Sequence, residues 1–378
     1  MTVQGALDVA IVGGGIVGCA CARAAARAGL HVAVFEAQRV GAGATAAGMG
    51  HLVTIDDDPA EFALARLSMQ LWREWDGWQA IERRPTGTLW LAETAAQRDA
   101  AHAKLARLRA AGLQADWLEP DALHAAEPRL ARDLAGALRV SGDEVAYGPG
   151  MATRLAADVR AAGGRIEEMA PVAALRDDGL LLADGTRVSA GQVLLAAGCD
   201  SVRLWPAGSP LALRPRKGQL AITDRYPGFI RHALVELGYI AAAHGAADES
   251  VAFNAQPRAS GQVLLGSSRS YADASPEVDA ALLARMVRRA RRFLPDVGDL
   301  QMLRCWAGFR PATPDGRPII GRIPGSERGN QWVATGHEGL GLTTAAGTAS
   351  VWLDLLLGRA PAVDATPYAP ERFAEVAA

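Results

Sequence analysis

Val9-Ala10-Ile11-Val12-Gly13-Gly14-Gly15-Ile16-Val17-Gly18 begins a unit that His31-Val32-Ala33-Val34-Phe35-Glu36 completes. A short apolar β-type run leads into Gly13-x-Gly15-x-x-Gly18, a small-residue helix over 16–28 follows, and a second strand ends on an acid. In such a unit Gly13 permits the tight turn, Gly15 lets a pyrophosphate approach the backbone, and Gly18 lets helix and strand pack closely. Phosphate oxygens then sit at the helix N-terminus, where free N–H groups and the macrodipole favour anions. Glu36 falls eighteen residues beyond Gly18, about where an acid accepts hydrogen bonds from a ribose 2′-OH. The unit reads as a dinucleotide site, open at this point to NAD or FAD.

The rest of the composition bounds the answer. A chain of 378 residues suggests two or three domains of about 150 residues each. Half the residues are apolar and 21% are charged, so a large core can be buried. Thirty-nine basic side chains against 41 acidic ones argue against nucleic acid or an anionic membrane as the main partner. The first residues carry no basic leader pattern, so no signal peptide is expected. No apolar run reaches the roughly 20 residues of a membrane span; the run 351–357 is short and holds Asp354. These features lead us to expect a cytoplasmic protein, with peripheral association at the inner face of the membrane as the alternative. Cys19, Cys21, Cys199 and Cys305 are scattered, as in a reducing compartment. Cys19 and Cys21 lie about 200° apart on a helix and cannot chelate together. They read as small buried hydrophobes, and no metal site is expected.

Apolar periodicity predicts a helix over 58–80 carrying Leu64, Leu67, Leu71, Trp75 and Trp78, with the tryptophans in the core. Further helices are expected over 94–111, 149–163 and 276–294. Five arginines of the last one, residues 285, 288, 289, 291 and 292, read as a solvated face. Asp184-Gly185 marks a hairpin between strands at 179–183 and 187–189. Alternation with frequent Gly and Pro over 211–270 suggests an antiparallel sheet.

Two C-terminal stretches carry chemistry. Trp332-Val-Ala-Thr-Gly336-His337-Glu-Gly-Leu-Gly341-Leu-Thr-Thr344 reads as strand, glycine turn and helix start. Such an end can present N–H groups to negative charge on a flavin ring. Arg310 precedes a proline in an apolar stretch, so its charge needs a defined partner. That partner is either a substrate carboxylate, which a planar guanidinium grips with two bonds, or an internal Asp or Glu. Nothing after Gly18 repeats the first glycine pattern, so one dinucleotide is expected rather than a flavin and a nicotinamide together.

Gly13-x-Gly15-x-x-Gly18 with Glu36, Thr45-Ala-Ala-Gly-Met-Gly50, Leu194-Leu-Ala-Ala-Gly198, Lys217-Gly-Gln219, Gly308-Phe-Arg-Pro-x-Thr-Pro-Asp-Gly316 and Gly336-His337 occur in one order. Together they resemble the D-amino-acid oxidase (glycine oxidase) family of FAD enzymes. The resemblance implies an α/β fold: a Rossmann-like FAD-binding domain built from discontinuous segments (1–80, 141–210 and 305–378) and an α+β substrate domain (81–140 and 211–304) with an antiparallel sheet and flanking helices. Phe253-Asn-Ala-Gln-Pro-Arg258, Leu264-Leu-Gly-Ser-Ser-Arg269 and Gly336-His-Glu-Gly-Leu-Gly341 are most similar to one branch, the FAD subunits of D-hydroxyproline dehydrogenases, opine oxidases and hydrogen cyanide synthase. Several of these work beside small electron-transferring subunits.

Carried over by resemblance, Gly13, Gly15, Ile16, Val17, Gly18, Glu36 and Ala37 are expected at the pyrophosphate and ribose, and Val172 at adenine. Thr45, Ala46, Gly48, Met49, Ala197, Gly198, Arg310 and the loop Gly336, His337, Glu338, Gly339, Leu340, Gly341, Leu342, Thr343 are expected around the pyrophosphate and isoalloxazine. Arg310 matches the arginine that anchors a substrate carboxylate. Ala47 and Gly308 stand where relatives carry a flavin-linking His or Cys, and Cys305 lies outside that slot, so FAD is expected to be noncovalent. Asn254 replaces a family tyrosine; Tyr239, His51, Arg216 and Gln256 are further pocket candidates. The implied activity is oxidation of a small D-amino or cyclic imino acid, D-hydroxyproline or D-proline first. Hydride would leave Cα for flavin N5 from a neutral amine, with no side-chain base. Glycine or sarcosine oxidation, opine cleavage within a complex, and a flavin-carrying relay subunit are the alternatives.

Overall fold

Apolar strands alternate with small-residue helices at the start of the chain, and that pattern builds a parallel sheet. We describe residues 7–54, 57–206, 213–238, 248–272, 274–326 and 328–377 of a computed structural model. Strands Arg165–Glu167, Val32–Phe35, Leu7–Val12, Arg187–Leu195 and Gln331–Thr335 lie side by side in that order, all parallel. Ile319–Arg322 closes the far edge antiparallel. A hairpin of Val172–Arg176 and Gly179–Leu182 joins Arg187–Leu195 through the expected Asp184-Gly185 turn, where Gly185 has φ +87°.

Helix Ile16–Arg27 packs on helices Gly148–Ala161 and Gly341–Leu356. Its buried face is made of Cys19, Ala20, Cys21, Ala22, Ala25 and Ala26, small enough for the backbones to approach. Burial pushes the Cys19 thiol up to about 12, so it acts as an inert hydrophobe. Gly13 adopts φ +106°, and a Cβ there would stand 2.5 Å from the Ala196 carbonyl oxygen. A Cβ on Gly18 would overlap the Gly13 carbonyl. Gly18→Ala should therefore yield protein with a lowered melting temperature and little of the dinucleotide expected from the sequence. The nucleotide released on denaturation, per mole of protein, checks this, and full occupancy in that variant would refute it.

The second sheet runs Met302–Ala312, Arg214–Arg225, Gln262–Ser270, Glu249–Pro257, Ala233–Glu236, Thr88–Ala92, Gly136–Val140, Ala115–Leu118. Every neighbouring pair is antiparallel except Ala233–Glu236 with Thr88–Ala92. The antiparallel expectation for residues 211–270 matches this sheet. The expected boundary at 304/305 falls inside strand Met302–Ala312, which pairs along its length with Arg214–Arg225. Helix Ala280–Phe293 covers one face, with Phe293 stacked on Phe253 at 4.9 Å.

Two sequence expectations change. The helix expected over 58–80 is two elements: Pro59–Arg73, capped by the Asp58 carboxylate on the amides of Ala60 and Glu61, and a 3₁₀ turn Asp76–Ala80. The break lets Trp72, Trp75 and Trp78 close on one another at 5.0–6.0 Å between ring centres, all buried. The arginine face of Ala280–Phe293 is not simply solvated. Arg285 pairs with Glu249, Arg289 with Glu93 and Glu236, and Arg292 with Glu93 and Asp133, so this face ties the helix to the chain's own acids.

Candidate active site

Strand ends Val12, Phe35, Leu195 and Thr335 all point to one side of the parallel sheet, where ligands of such sheets bind. There a cleft of about 960 Å³ runs from Glu36, Gln38 and Val172 to Arg269, Tyr271, Arg310 and Asn254 on the second sheet.

At the nucleotide end, Glu36 Oε2 accepts from the Gly14 amide at 2.6 Å and Oε1 from Gln38 N at 2.8 Å. A carboxylate has about four lone-pair sites, so Glu36 fixes the turn and keeps acceptor capacity toward the cleft. Helix Ile16–Arg27 has no side-chain cap from Gly15 and no acid in its first turn. Thr45, from a distant segment, accepts from Ile16 N at 3.0 Å instead. That helix start remains a favourable anion site.

In the middle, Ala47 and Gly308 face each other: a Cβ on Gly308 would overlap Ala47 Cβ. Trp306 Nε1 donates to the Ala47 carbonyl at 3.1 Å. Gly218 is similarly covered, since a Cβ there would overlap the Arg310 guanidinium. His337 Nε2 lies 2.9 Å from Thr348 Oγ1, and burial pushes its pKa down to about 3, leaving it neutral.

At the far end, Arg310 lies across Gly218 and donates from Nη1 to the Ser268 carbonyl at 3.1 Å. Glu338 Oε1 is 3.4 Å from Arg269 Nε and 3.8 Å from both Arg310 Nε and Arg216 Nη1. Burial alone would raise the Glu338 carboxyl, but Arg269, Arg310 and Arg216 together hold it below the usual range. Among the described residues three guanidinium groups thus meet one carboxylate here. Arg310 has an internal acid partner and still borders the cleft, so both readings of its charge are physically open. Asn254 Oδ1 is buried without a hydrogen-bond partner, on a residue that lines the cleft. A buried carbonyl left unbonded costs about 1–3 kcal/mol, which a ligand donor would offset.

Most of the residues named from sequence border this cleft. Gly18, Ala46, Gly336, Thr343 and Gln256 do not. Gly18 packs on Gly13, and Gly336 makes a turn at φ +80°. Ala46 sits in the short helix Ala44–Ala47, off the cleft. Thr343 Oγ1 accepts from Val53 N and donates to the His51 carbonyl. Gln256 is fully buried two residues beyond Asn254. Tyr239 lies outside the described residues. Sequence reasoning missed Arg269 as a site residue, as well as Gly218, Trp90 and Tyr271. For Arg269 a signal existed, an arginine ending the apolar strand Gln262–Ser270, because a buried guanidinium demands a partner. No described residues form a cluster of three potential metal ligands, and no described helix is long and apolar enough to cross a membrane.

A glycine-turn nucleotide cradle opening into a long cleft, floored by a second sheet with an arginine cluster, defines a flavin-dependent oxidoreductase. The chain belongs to the DAO family, FAD dependent oxidoreductase, whose model matches residues 8–355. Glycine oxidase of Bacillus licheniformis is 28% identical over 366 residues, 93% of each chain. D-amino acid dehydrogenase of Cereibacter sphaeroides is 32% identical over 309 residues, 78% of this chain and 66% of its own length. The crystal structure of glycine oxidase from Geobacillus kaustophilus aligns with TM-score 0.85 at 27% identity, covering 97% of this chain and 98% of that one. L-proline dehydrogenase from P. horikoshii shares the fold, with TM-score 0.89 at 21% identity over 99% of both chains. The protein is thus an FAD-dependent oxidoreductase whose homologues oxidise amino acids. The cleft fits the cofactor: the Gly13 turn, the open helix start and the Ala47–Gly308 constriction leave room along its length for a dinucleotide with a flat ring.

Proposed function

We propose that this chain oxidises a small D-amino or cyclic imino acid, D-hydroxyproline or D-proline first, with noncovalent FAD. The observation that carries this reading is a cleft lined by both the Arg310 guanidinium and the unbonded side-chain carbonyl of Asn254. Neighbouring strands are about 4.8 Å apart, and Arg310 reaches from its own strand over Gly218 to Ser268. That reach brings its guanidinium to the strand next to Asn254. A substrate carboxylate would lie on Arg310, and its nitrogen or ring hydroxyl would donate to Asn254. Trp90, Val235 and Leu220 supply apolar wall, which suits a small ring. When bound, FAD supplies the two-electron acceptor. Fixing the carboxylate aligns Cα, a positioning effect worth roughly several kcal/mol.

Ala47 and Gly308 support noncovalent FAD because neither offers a nucleophile. The Cys199 thiol on the cleft wall is pushed by burial up to about 12, too high to act as one. The Phe253–Arg258 and Gly336–Gly341 motifs support placement in the D-hydroxyproline dehydrogenase and opine oxidase branch, with a small electron-transferring subunit or a quinone as acceptor. The free cysteines fit a cytoplasmic protein.

The test is anaerobic bleaching of the yellow holoprotein by D-hydroxyproline, D-proline, glycine, sarcosine and octopine. D-hydroxyproline and D-proline should reduce it fastest. Faster reduction by glycine or octopine would reassign the substrate, and no bleaching by any of the five would leave a relay subunit.

A further inference from the structure

Four strands of the second sheet carry one row of residues on their cleft side. Trp90 pairs with Val235, Val235 with Asn254 and Asn254 with Gly266, and cross-strand partners share a face. Their sequence neighbours Leu89, Leu234, Phe253 and Leu265 fill the core on the other side. Trp90, Val235 and Asn254 line the cleft, and a Cβ on Gly266 would meet Met49 and Leu220 of its wall. Two members of the row are polar and unsatisfied. Asn254 Oδ1 is buried without a hydrogen-bond partner, and so is the indole Nε1 of Trp90, a residue only 3% exposed. Thr88, on the same face two residues before Trp90, is already bonded to His51 at 2.8 Å.

The two unsatisfied groups are complementary. An indole N–H only donates, and an amide oxygen only accepts. Two strand spacings, roughly 10 Å, separate their backbones, with the short Val235 side chain between. That is the span of an indole, a carboxamide and one small group bonded to both. The other end of the row is fixed as well, because Arg310 reaches the Ser268 carbonyl, two residues along the strand from Gly266. A ligand whose carboxylate meets Arg310 therefore extends along the row toward Val235, over apolar wall. The N–H at that point suits a neutral acceptor, since a carboxylate binds the guanidinium more strongly.

We propose that Trp90 selects a substrate with a hydroxyl on its ring, a specificity that rests on the amine-oxidation reading above. A hydroxyl is donor and acceptor at once. Its oxygen accepts from Trp90 Nε1 and its proton goes to Asn254 Oδ1, so one substituent satisfies both buried groups. A bare ring leaves both unpaired, and a site built to bond a hydroxyl rejects the analogue that lacks it. Trp90 moves neither electrons nor protons; it sets specificity. D-hydroxyproline is thereby preferred over D-proline, a choice that the carboxylate anchor at Arg310 does not make.

Stopped-flow flavin reduction of the FAD-loaded full chain and of Trp90→Phe, each with the two imino acids, tests it. At low substrate the natural protein should favour D-hydroxyproline over D-proline by about tenfold or more. In Trp90→Phe that ratio should fall to within about twofold of unity. Trimming the wall slows both substrates and cancels in the ratio, so the ratio reads the lost N–H. A titration without turnover gives a second reading. 3-Hydroxycyclopentanecarboxylate keeps the carboxylate and hydroxyl but has no nitrogen to oxidise. It should perturb the flavin spectrum of the natural protein with a Kd about tenfold below that of cyclopentanecarboxylate, and in Trp90→Phe the two acids should bind alike. Equal affinities in the natural protein, or a preference that survives in Trp90→Phe, would overturn the role of Trp90 while leaving amine oxidation intact. If no amine reduced the natural protein, the amine-oxidation reading would fall, and the titration would still decide whether Trp90 holds a hydroxyl.

Discussion

Arg310→Met raises KM for carboxylate substrates by about 10²- to 10³-fold, the loss expected for one charge-assisted anchor worth roughly 3–4 kcal/mol. The guanidinium has a fixed bed: it lies over Gly218, bonds the Ser268 carbonyl and borders the cleft. Methionine fills similar volume without charge, and Arg216 and Arg269 still face Glu338, so the melting temperature should fall less than in Glu338→Gln. Steady-state kinetics with an amino acid and with its amide separate the roles, because the amide gains nothing from the arginine. Equal KM values for variant and natural protein with the amino acid would remove Arg310 from substrate binding and leave it as Glu338's partner.

Glu338→Gln lowers the melting temperature strongly, by an amount corresponding to about 3–5 kcal/mol near neutral pH. The substitution keeps the shape and deletes the one carboxylate that Arg216, Arg269 and Arg310 share. The folded chain holds this carboxyl below its ordinary range. Its stabilisation is therefore present above that range and is lost as pH falls through the folded value. Melting curves of the natural protein and Glu338→Gln should converge in acid and separate toward neutrality. A constant gap at all pH would mean that Glu338 acts through packing and not through charge.

Local signals were legible where one short segment contains its own reason. The Gly13–Gly18 turn, the Asp184-Gly185 hairpin and the strand–turn–helix at 331–356 each carry glycines at positive φ or apolar runs of defined period. The break between Arg73 and Asp76 was hidden, because Trp75 and Trp78 continue a helical spacing that three interlocking rings override. Strand Met302–Ala312 was split at 305 because nothing local reveals its long register with Arg214–Arg225. The site divides in the same way. Its glycine cradle is sequential, but Glu338 meets Arg269 from 69 positions away. Such partners share no period, and only the fold makes them neighbours. Glu338 itself was named as a cofactor contact, yet its carboxylate is taken up by arginines.

The parallel sheet also sets a timetable for the nascent chain. Leu7–Val12 pairs with Val32–Phe35 early, but its other neighbour is Arg187–Leu195, whose own outer neighbour is Gln331–Thr335. A ribosome adding about 5–20 residues per second leaves that first strand–helix–strand unit waiting roughly ten to thirty seconds for its second flank. Until that last strand emerges, the Val193–Leu195 part of one edge stays unpaired and open to foreign strands. The cradle that is written first in the chain is among the last parts to be finished in the cell, and truncation before Gln331 should send the protein to aggregates.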